Sequence, residues 1–109
     1  MDQAPIHLTP RCPIRTTLEL VGGKWKLLML FQLAQGAMRP SQLRRSIPDI
    51  SEKMLIQELK ILVESGLVVR NNYGEVPPRV EYSLTPKGKL ALPLVEAMKV
   101  FADGYTSDS

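Results

Sequence analysis

Between Ser51 and Ser65, two sets of side chains repeat at helical spacing. One set is apolar and falls at i, i+4 and i+7: Leu55, Leu59 and Leu62. The other set lies on the opposite face at the same spacing: Lys53, Gln57 and Lys60. Lysine can bind phosphate or guanine, glutamine can pair with adenine edges, and Ile56 beside them can contact a thymine methyl. With Ser51 at its exposed start, this face has the chemistry needed to read a DNA major groove.

Two further groups of polar side chains flank this segment. Arg44 and Arg45 precede it in a short predicted helix, where they can contact backbone phosphates. Ser41 stands near the start of the same helix and can bind phosphate through its hydroxyl and nearby N–H groups. The second group lies at a predicted hairpin tip and includes Asn72, Tyr73 and Arg79. Such a tip can follow the DNA backbone or insert an arginine into the minor groove.

Capping and turn signals predict the elements that must hold these side chains. Ser51 is a good N-cap and Gly66 a good stop, so a helix is predicted over residues 51–65. A short helix over 41–46, opened by Pro40, precedes it, and strands over 67–70 and 80–84 follow, with 71–74 as a turn. Two helices followed by a hairpin are the element order of a winged helix-turn-helix.

The rest of the chain is predicted to supply the core. Residues 14–21 and 24–35 are predicted helices, and the second is apolar on so many sides that it should be central and buried. Residues 37–39 are predicted as a short edge strand. Thr85 and Pro86 open a last helix to about residue 103, in which Pro93 predicts a kink or break. The predicted fold class is therefore mainly α with a small β-hairpin (α+β).

Composition limits the function classes. The 109 residues and net charge of +3 fit one small domain and allow a nucleic-acid partner without requiring one. No signal peptide and no apolar stretch near the ~20 residues that span a bilayer is recognisable, so a cytoplasmic protein without a membrane partner is expected. One histidine and one cysteine make a poor catalytic or metal-binding set. We therefore expect neither an enzyme nor a cofactor.

The last predicted helix carries more apolar surface than one thin core needs. Its stripe consists of Leu90, Leu94, Met98 and Phe101. We expect part of this stripe to contact a second copy of the chain; the alternative is an ordinary helix that buries one face against its own core. A twofold pair would place two reading helices one turn of DNA apart, ~34 Å. Such a pair favours a near-palindromic site.

Several segments of the chain match one family pattern. They are Cys12-Pro13, Gly22-Gly23-Lys24-Trp25, and residues 50–55 (ISEKML), 64–68 (ESGLV) and 73–85 (YGEVPPRVEYSLT). On these segments the chain resembles the HxlR-type family of small bacterial winged-helix transcriptional regulators, from Cys12 to about Tyr105. The run over residues 75–82 is long and unusual in composition, and it is therefore the most specific part of the match.

The resemblance implies a homodimer that binds a roughly palindromic operator and represses or activates nearby genes; we expect a repressor. It implies that the helix over 51–65 enters the major groove, that a wing over 71–79 lies on the flanking backbone, and that the terminal helices form the dimer contact. It divides the chain into a flexible arm over residues 1–11 and an HxlR-type domain over 12–105. The alternative function is a winged-helix module that binds another protein, although the basic reading face favours DNA.

Cys12, the only cysteine, precedes Pro13 at a predicted helix start, where the helix dipole favours a thiolate. The resemblance adds that some relatives use a cysteine at this position to sense oxidants or electrophiles. An oxidant or small-molecule effector is therefore one expectation, and a lone cysteine can respond by an intersubunit disulfide, a mixed disulfide or alkylation. The alternative is a small buried apolar side chain with no regulatory role.

Overall fold

The computed structural model describes residues 9–107 as a mainly helical chain with one hairpin. The elements, in chain order, are α1 (Pro13–Val21), α2 (Lys26–Leu33), α3 (Pro40–Ser46), α4 (Glu52–Glu64), β1 (Val68–Asn72), β2 (Val80–Leu84), α5 (Pro86–Lys89) and α6 (Leu92–Thr106). This order confirms the predicted fold class. Most of the arm predicted over residues 1–11 lies outside the described residues. No helix between residues 9 and 107 is both long and apolar enough to cross a membrane.

The core lies where α2, α3 and α4 meet behind the hairpin. The large side chains buried most completely come from these three helices and from β1: Met29, Leu30, Leu43, Leu55, Leu59, Leu62 and Val68. The predicted leucine stripe of α4 is therefore confirmed. α2 buries Met29, Leu30 and Leu33, as its composition predicted, but Leu28 is 46% exposed and the helix is shorter than residues 24–35 at both ends.

Side-chain caps set the start of two helices as predicted. The Oγ of Ser51 accepts the backbone N–H of Met54 at 3.1 Å, and Oγ1 of Thr85 accepts that of Gly88 at 3.0 Å. Each bond satisfies an N–H that has no partner within its helix. After α4, Gly66 adopts a φ of +80°, which glycine reaches without steric cost. The chain turns there from α4 into β1, so both ends of α4 are fixed by local sequence.

The last predicted helix is divided into α5 and α6. The break falls at Leu90 and Ala91, earlier than Pro93, and α6 continues to Thr106 rather than ending near residue 103. Pro93 lies in the first turn of α6. An N–H in that turn has no intrahelical acceptor, so proline is tolerated there. The predicted break is confirmed, but its position was wrong by a few residues.

β1 and β2 form one antiparallel pair, with Val68 opposite Leu84 and Asn72 opposite Val80. The predicted turn over 71–74 is therefore wrong in its first half, because Asn71 and Asn72 belong to β1. Asparagine is favoured in turns by its local hydrogen bonds, and the Asn72 side chain forms one here, but the backbone of both asparagines pairs with β2.

Candidate nucleic-acid interface

α4 presents the polar face that the sequence predicts. Opposite the buried leucines, four of its side chains are exposed: Lys53, Ile56, Gln57 and Lys60. Ile56 is 49% exposed, so it offers an apolar contact on an otherwise basic surface. None of the three polar side chains forms an ion pair or hydrogen bond within the described part of the chain. The face is therefore open to a partner.

A buried ion pair fixes α4 against α2. The Nζ of Lys26 donates to Oε1 of Glu58 at 3.1 Å, and the two side chains are only 14% and 9% exposed. Sequence reasoning missed this pair, because its members are 32 positions apart. One signal was present: Glu58 lies among the leucines of the buried stripe, where a carboxylate needs a partner. The pair fixes the buried face of α4 against α2, and this sets the orientation of the exposed face.

α3 places two arginines beside α4. Arg44 and Arg45 are exposed and form no ion pair within residues 9–107. Ser41 is exposed in the first turn of α3. A cleft of about 390 Å³ between α3 and α4 is lined by these three residues, by Ile56 and by the carboxylate-bearing Glu52. Both cations are available to an anionic backbone that lies along this cleft.

Contacts within the hairpin tip itself hold Arg79 in place. The guanidinium of Arg79 lies 4.1 Å from the centre of the Tyr73 ring, and its Nη2 is 3.3 Å from Oε1 of Glu75. The Tyr73 hydroxyl donates to Oε1 of Glu81 at 3.2 Å. Asn72 is exposed beside them, and its Oδ1 accepts the N–H two residues along at 2.9 Å. The three predicted tip residues are therefore close together, but Arg79 already has a carboxylate partner.

α3 connects the tip to α4. Backbone hydrogen bonds join Met38 and Tyr82 in both directions, at 2.9 and 2.8 Å, so the chain enters α3 alongside β2. This bridge confirms the edge strand predicted over 37–39 at its central residue. Pro40 and Ser41 then border two clefts, one shared with α4 and one shared with the hairpin tip. These adjoining clefts thus link one member of each predicted group: Ile56 of α4, Ser41 of α3 and Arg79 of the hairpin tip.

α1 and α6 leave an apolar face uncovered. Leu90, Met98 and Phe101 of the predicted stripe are exposed, and Phe101 stacks on Tyr105 with ring centres 6.2 Å apart. Leu94 differs, because it is partly buried against the core of its own chain. A groove of about 490 Å³ between α1 and α6 is lined by Leu94 and Met98 together with apolar residues of α1. The groove and the exposed part of the stripe form one apolar surface.

Cys12 lies at the start of α1, as predicted. Its side chain is 4% exposed, and its Sγ accepts the backbone N–H of Arg15 at 3.4 Å. The thiol therefore serves as the N-cap of α1. In this conformation it is protected from solvent.

Two packed helices, the second with an exposed basic face, and a hairpin beside them define a winged helix-turn-helix, the fold of a class of DNA-binding transcriptional regulators. The family model described as HxlR-like helix-turn-helix matches residues 20–109. The chain belongs to this family.

Individual relatives agree with this assignment. The HTH-type transcriptional regulator YkvN of Bacillus subtilis (strain 168) is 48% identical over 87 residues, which are 80% of this chain and 74% of YkvN. The redox regulator HypR in its oxidised form has a TM-score of 0.80 at 39% identity, covering 90% of this chain and 100% of HypR. The reduced form of the transcriptional regulator YodB from B. subtilis has a TM-score of 0.77 at 32% identity, covering 90% of this chain and 97% of YodB.

Proposed function

We propose that this chain is a transcriptional repressor that binds a near-palindromic operator as a homodimer, with α4 in the major groove. One observation carries the proposal. The leucines of α4 are buried, and Lys53, Gln57 and Lys60 are exposed and without partners in the described chain, on a helix that adjoining clefts link to α3 and the hairpin. Side chains that read bases must be free to reach them, and cations without an internal partner are the most available to phosphates.

The exposed residues divide into three tasks. Base edges are read by the outer face of α4: Lys53, Ile56, Gln57 and Lys60. Backbone phosphates are held by residues at the starts of the two helices and on α3: Ser41, Arg44, Arg45 and Ser51. The wing contacts the flanking backbone through Asn72, Tyr73 and Arg79.

The apolar surface of α1 and α6 forms the dimer contact in this proposal. Phe101 and Met98 would supply its exposed anchors, with Leu90 at one edge and Leu94 in the floor of the groove. A twofold axis through this surface presents two copies of α4 to the same side of a duplex, which requires half-sites about one helical turn apart. The dimerising domain spans residues 12–105.

Cys12 is proposed as the regulatory group, with an oxidant or electrophile as effector. The support comes from the relatives, because HypR is described as a redox regulator and its oxidised form has the same fold as this chain. Since Cys12 caps α1, chemistry at its sulfur would disturb a helix of the proposed dimer contact. The proposal gives the protein no catalytic activity and places it in the cytoplasm, where it meets the chromosome.

In vitro selection from a pool of random duplexes tests the proposal. Selection should enrich an inverted repeat, and mobility shifts titrated with salt should show the enriched duplex bound at least ~10³-fold more tightly than unselected DNA. The salt dependence should be steep because several phosphates are contacted. Absence of a shifted band at low salt, or equal shifts for every duplex, would contradict the proposal. Either result would favour the protein-binding module instead.

A further inference from the structure

A polar cleft of about 380 Å³ separates the hairpin tip from the start of α3. Two arginines line it, Arg39 and Arg79, together with Ser41 and Glu75. Arg39 is exposed and forms no ion pair within the described part of the chain. Nothing in its sequence context marked it as a DNA contact, because it is the last residue of the predicted edge strand. The fold brings it to the same cleft as an arginine of the wing.

The guanidinium of Arg79 is only partly satisfied in this cleft. Its Nη2 contacts Oε1 of Glu75 at 3.3 Å, while its Nε–H is buried and finds no acceptor among residues 9–107. Arginine binds anions most strongly when two N–H groups form a fork to two oxygens. Glu75 contacts the guanidinium through one of its two oxygens, so other N–H groups of Arg79 remain available to an anion.

Glu75 is also held weakly. Its side chain is 52% exposed and that of Arg79 is 36% exposed, and ion pairs with this much solvent contact contribute little. Two cations face one carboxylate in the cleft, so positive charge remains even while the pair is formed. A second anion is therefore attracted to the cleft, and it competes with Glu75 for Arg79.

We propose that this cleft is a seat for a backbone phosphate of duplex DNA. The phosphate displaces the carboxylate of Glu75 from Arg79 and binds between Arg79, Arg39 and the Ser41 hydroxyl. The inference rests on the proposed function and adds two residues to it: Arg39 as a phosphate contact and Glu75 as a competitor of the phosphate. Because every sequence presents the same phosphate, Glu75 lowers the affinity for all duplexes alike. The ratio of affinities between two duplexes, which the reading face of α4 sets, is unchanged by this competition.

Two variants and two matched controls test the seat. Glu75→Gln removes the competing charge, and Glu96→Gln makes the same charge change in an exposed ion pair of α6, outside the cleft. Arg39→Ala removes a proposed contact, and Lys89→Ala removes an exposed cation of α5. Fluorescence anisotropy measures the dissociation constant of each for a labelled random-sequence duplex of about 30 base pairs, roughly three helical turns.

Glu75→Gln should bind this duplex about two- to fivefold more tightly than Glu96→Gln, the range expected for an exposed ion pair. Arg39→Ala should bind severalfold more weakly than Lys89→Ala, and its salt slope should be flatter by about 0.9, the value for one phosphate contact. Equal affinities within each matched pair would overturn the seat while leaving the proposed function intact. Failure of the unaltered chain to bind any duplex would overturn the proposed function and the seat together.

A change of buffer distinguishes a phosphate of the duplex from free phosphate as the occupant of the cleft. The measurements are repeated in sodium phosphate and in sodium chloride at equal ionic strength. A difference between Glu75→Gln and Glu96→Gln that is present in sodium chloride, where there is no free phosphate, supports occupation by the duplex. A difference that appears only in sodium phosphate would show that free phosphate, rather than the duplex, competes with Glu75 and would overturn the assignment to DNA.

Discussion

Gln57 and Arg44 are both exposed, on neighbouring helices, but their side chains suit different tasks. If Gln57 pairs with a base edge, Gln57→Ala should cost about 1–3 kcal/mol on the selected duplex and relax the preference at one position. Arg44→Ala should weaken binding to every duplex alike and reduce the salt slope by about 0.9. Binding isotherms on selected and random duplexes at several salt concentrations distinguish the effects of the two variants. Identical behaviour of the two variants would refute the division between reading and holding residues.

Cys12 allows a substitution that separates its two roles. Serine is among the favoured N-cap residues, so Cys12→Ser should keep the cap of α1 and the stability of the fold while removing the thiol chemistry. In the unaltered chain, diamide should change the affinity for the selected duplex; in Cys12→Ser it should not. Dissociation constants with and without diamide measure this, and thermal unfolding serves as the control for the fold. A diamide response that persists in Cys12→Ser would rule out the sensor role.

Among the elements, the contact between α2 and α4 depends on the buried pair of Lys26 and Glu58. Glu58→Ala leaves the ammonium of Lys26 buried without a counter-ion, so the free energy of unfolding should fall by about 3–5 kcal/mol. The double variant Lys26→Met/Glu58→Leu should recover most of this loss, because it removes both charges and keeps apolar volume. Urea unfolding gives the free energy of unfolding of the unaltered chain, of Glu58→Ala and of the double variant.

The exposed pair of Glu96 and Lys99 on α6 is the matched control for the buried one. Its side chains are mostly in solvent, so Glu96→Ala should change the free energy of unfolding by at most about 1 kcal/mol. A loss from Glu58→Ala as small as this would show that the buried pair does not hold α4.

The predictions from sequence succeeded where the signal was local. Ser51 and Thr85 define helix starts by a side chain and a nearby N–H, and the leucine stripe of α4 follows from helical periodicity. They failed where distant segments decide the outcome. Asn72 joins β1 because β2 offers it a partner, and the partner of Glu58 lies in another helix. Arg39 was missed for the same reason, since its cleft exists only after the wing folds beside α3.

For the whole molecule, the apolar surface of α1 and α6 makes the state of assembly testable. Phe101 is 73% exposed in the single chain, so Phe101→Glu should not disturb the core. It should prevent the proposed dimer and reduce affinity for a two-half-site duplex, because burying a carboxylate in an apolar contact is unfavourable. Sedimentation velocity and binding to the selected duplex measure both effects, with Phe101→Leu as control. A Phe101→Glu variant that still sediments as a dimer would contradict this surface as the contact.

The burial of Cys12 beneath the first turn of α1 has a kinetic consequence. A reagent in solution meets the sulfur only during transient openings of that turn, so the rate of modification follows the population of the opened form, as it does for amide hydrogen exchange. Conditions that loosen the helix end, such as mild heating, will accelerate alkylation of Cys12 more than they accelerate the same reaction of an exposed thiol. If a second subunit covers α1, as proposed, its association will slow alkylation. Reactivity at this one atom thus reports on how often the end of a helix unravels.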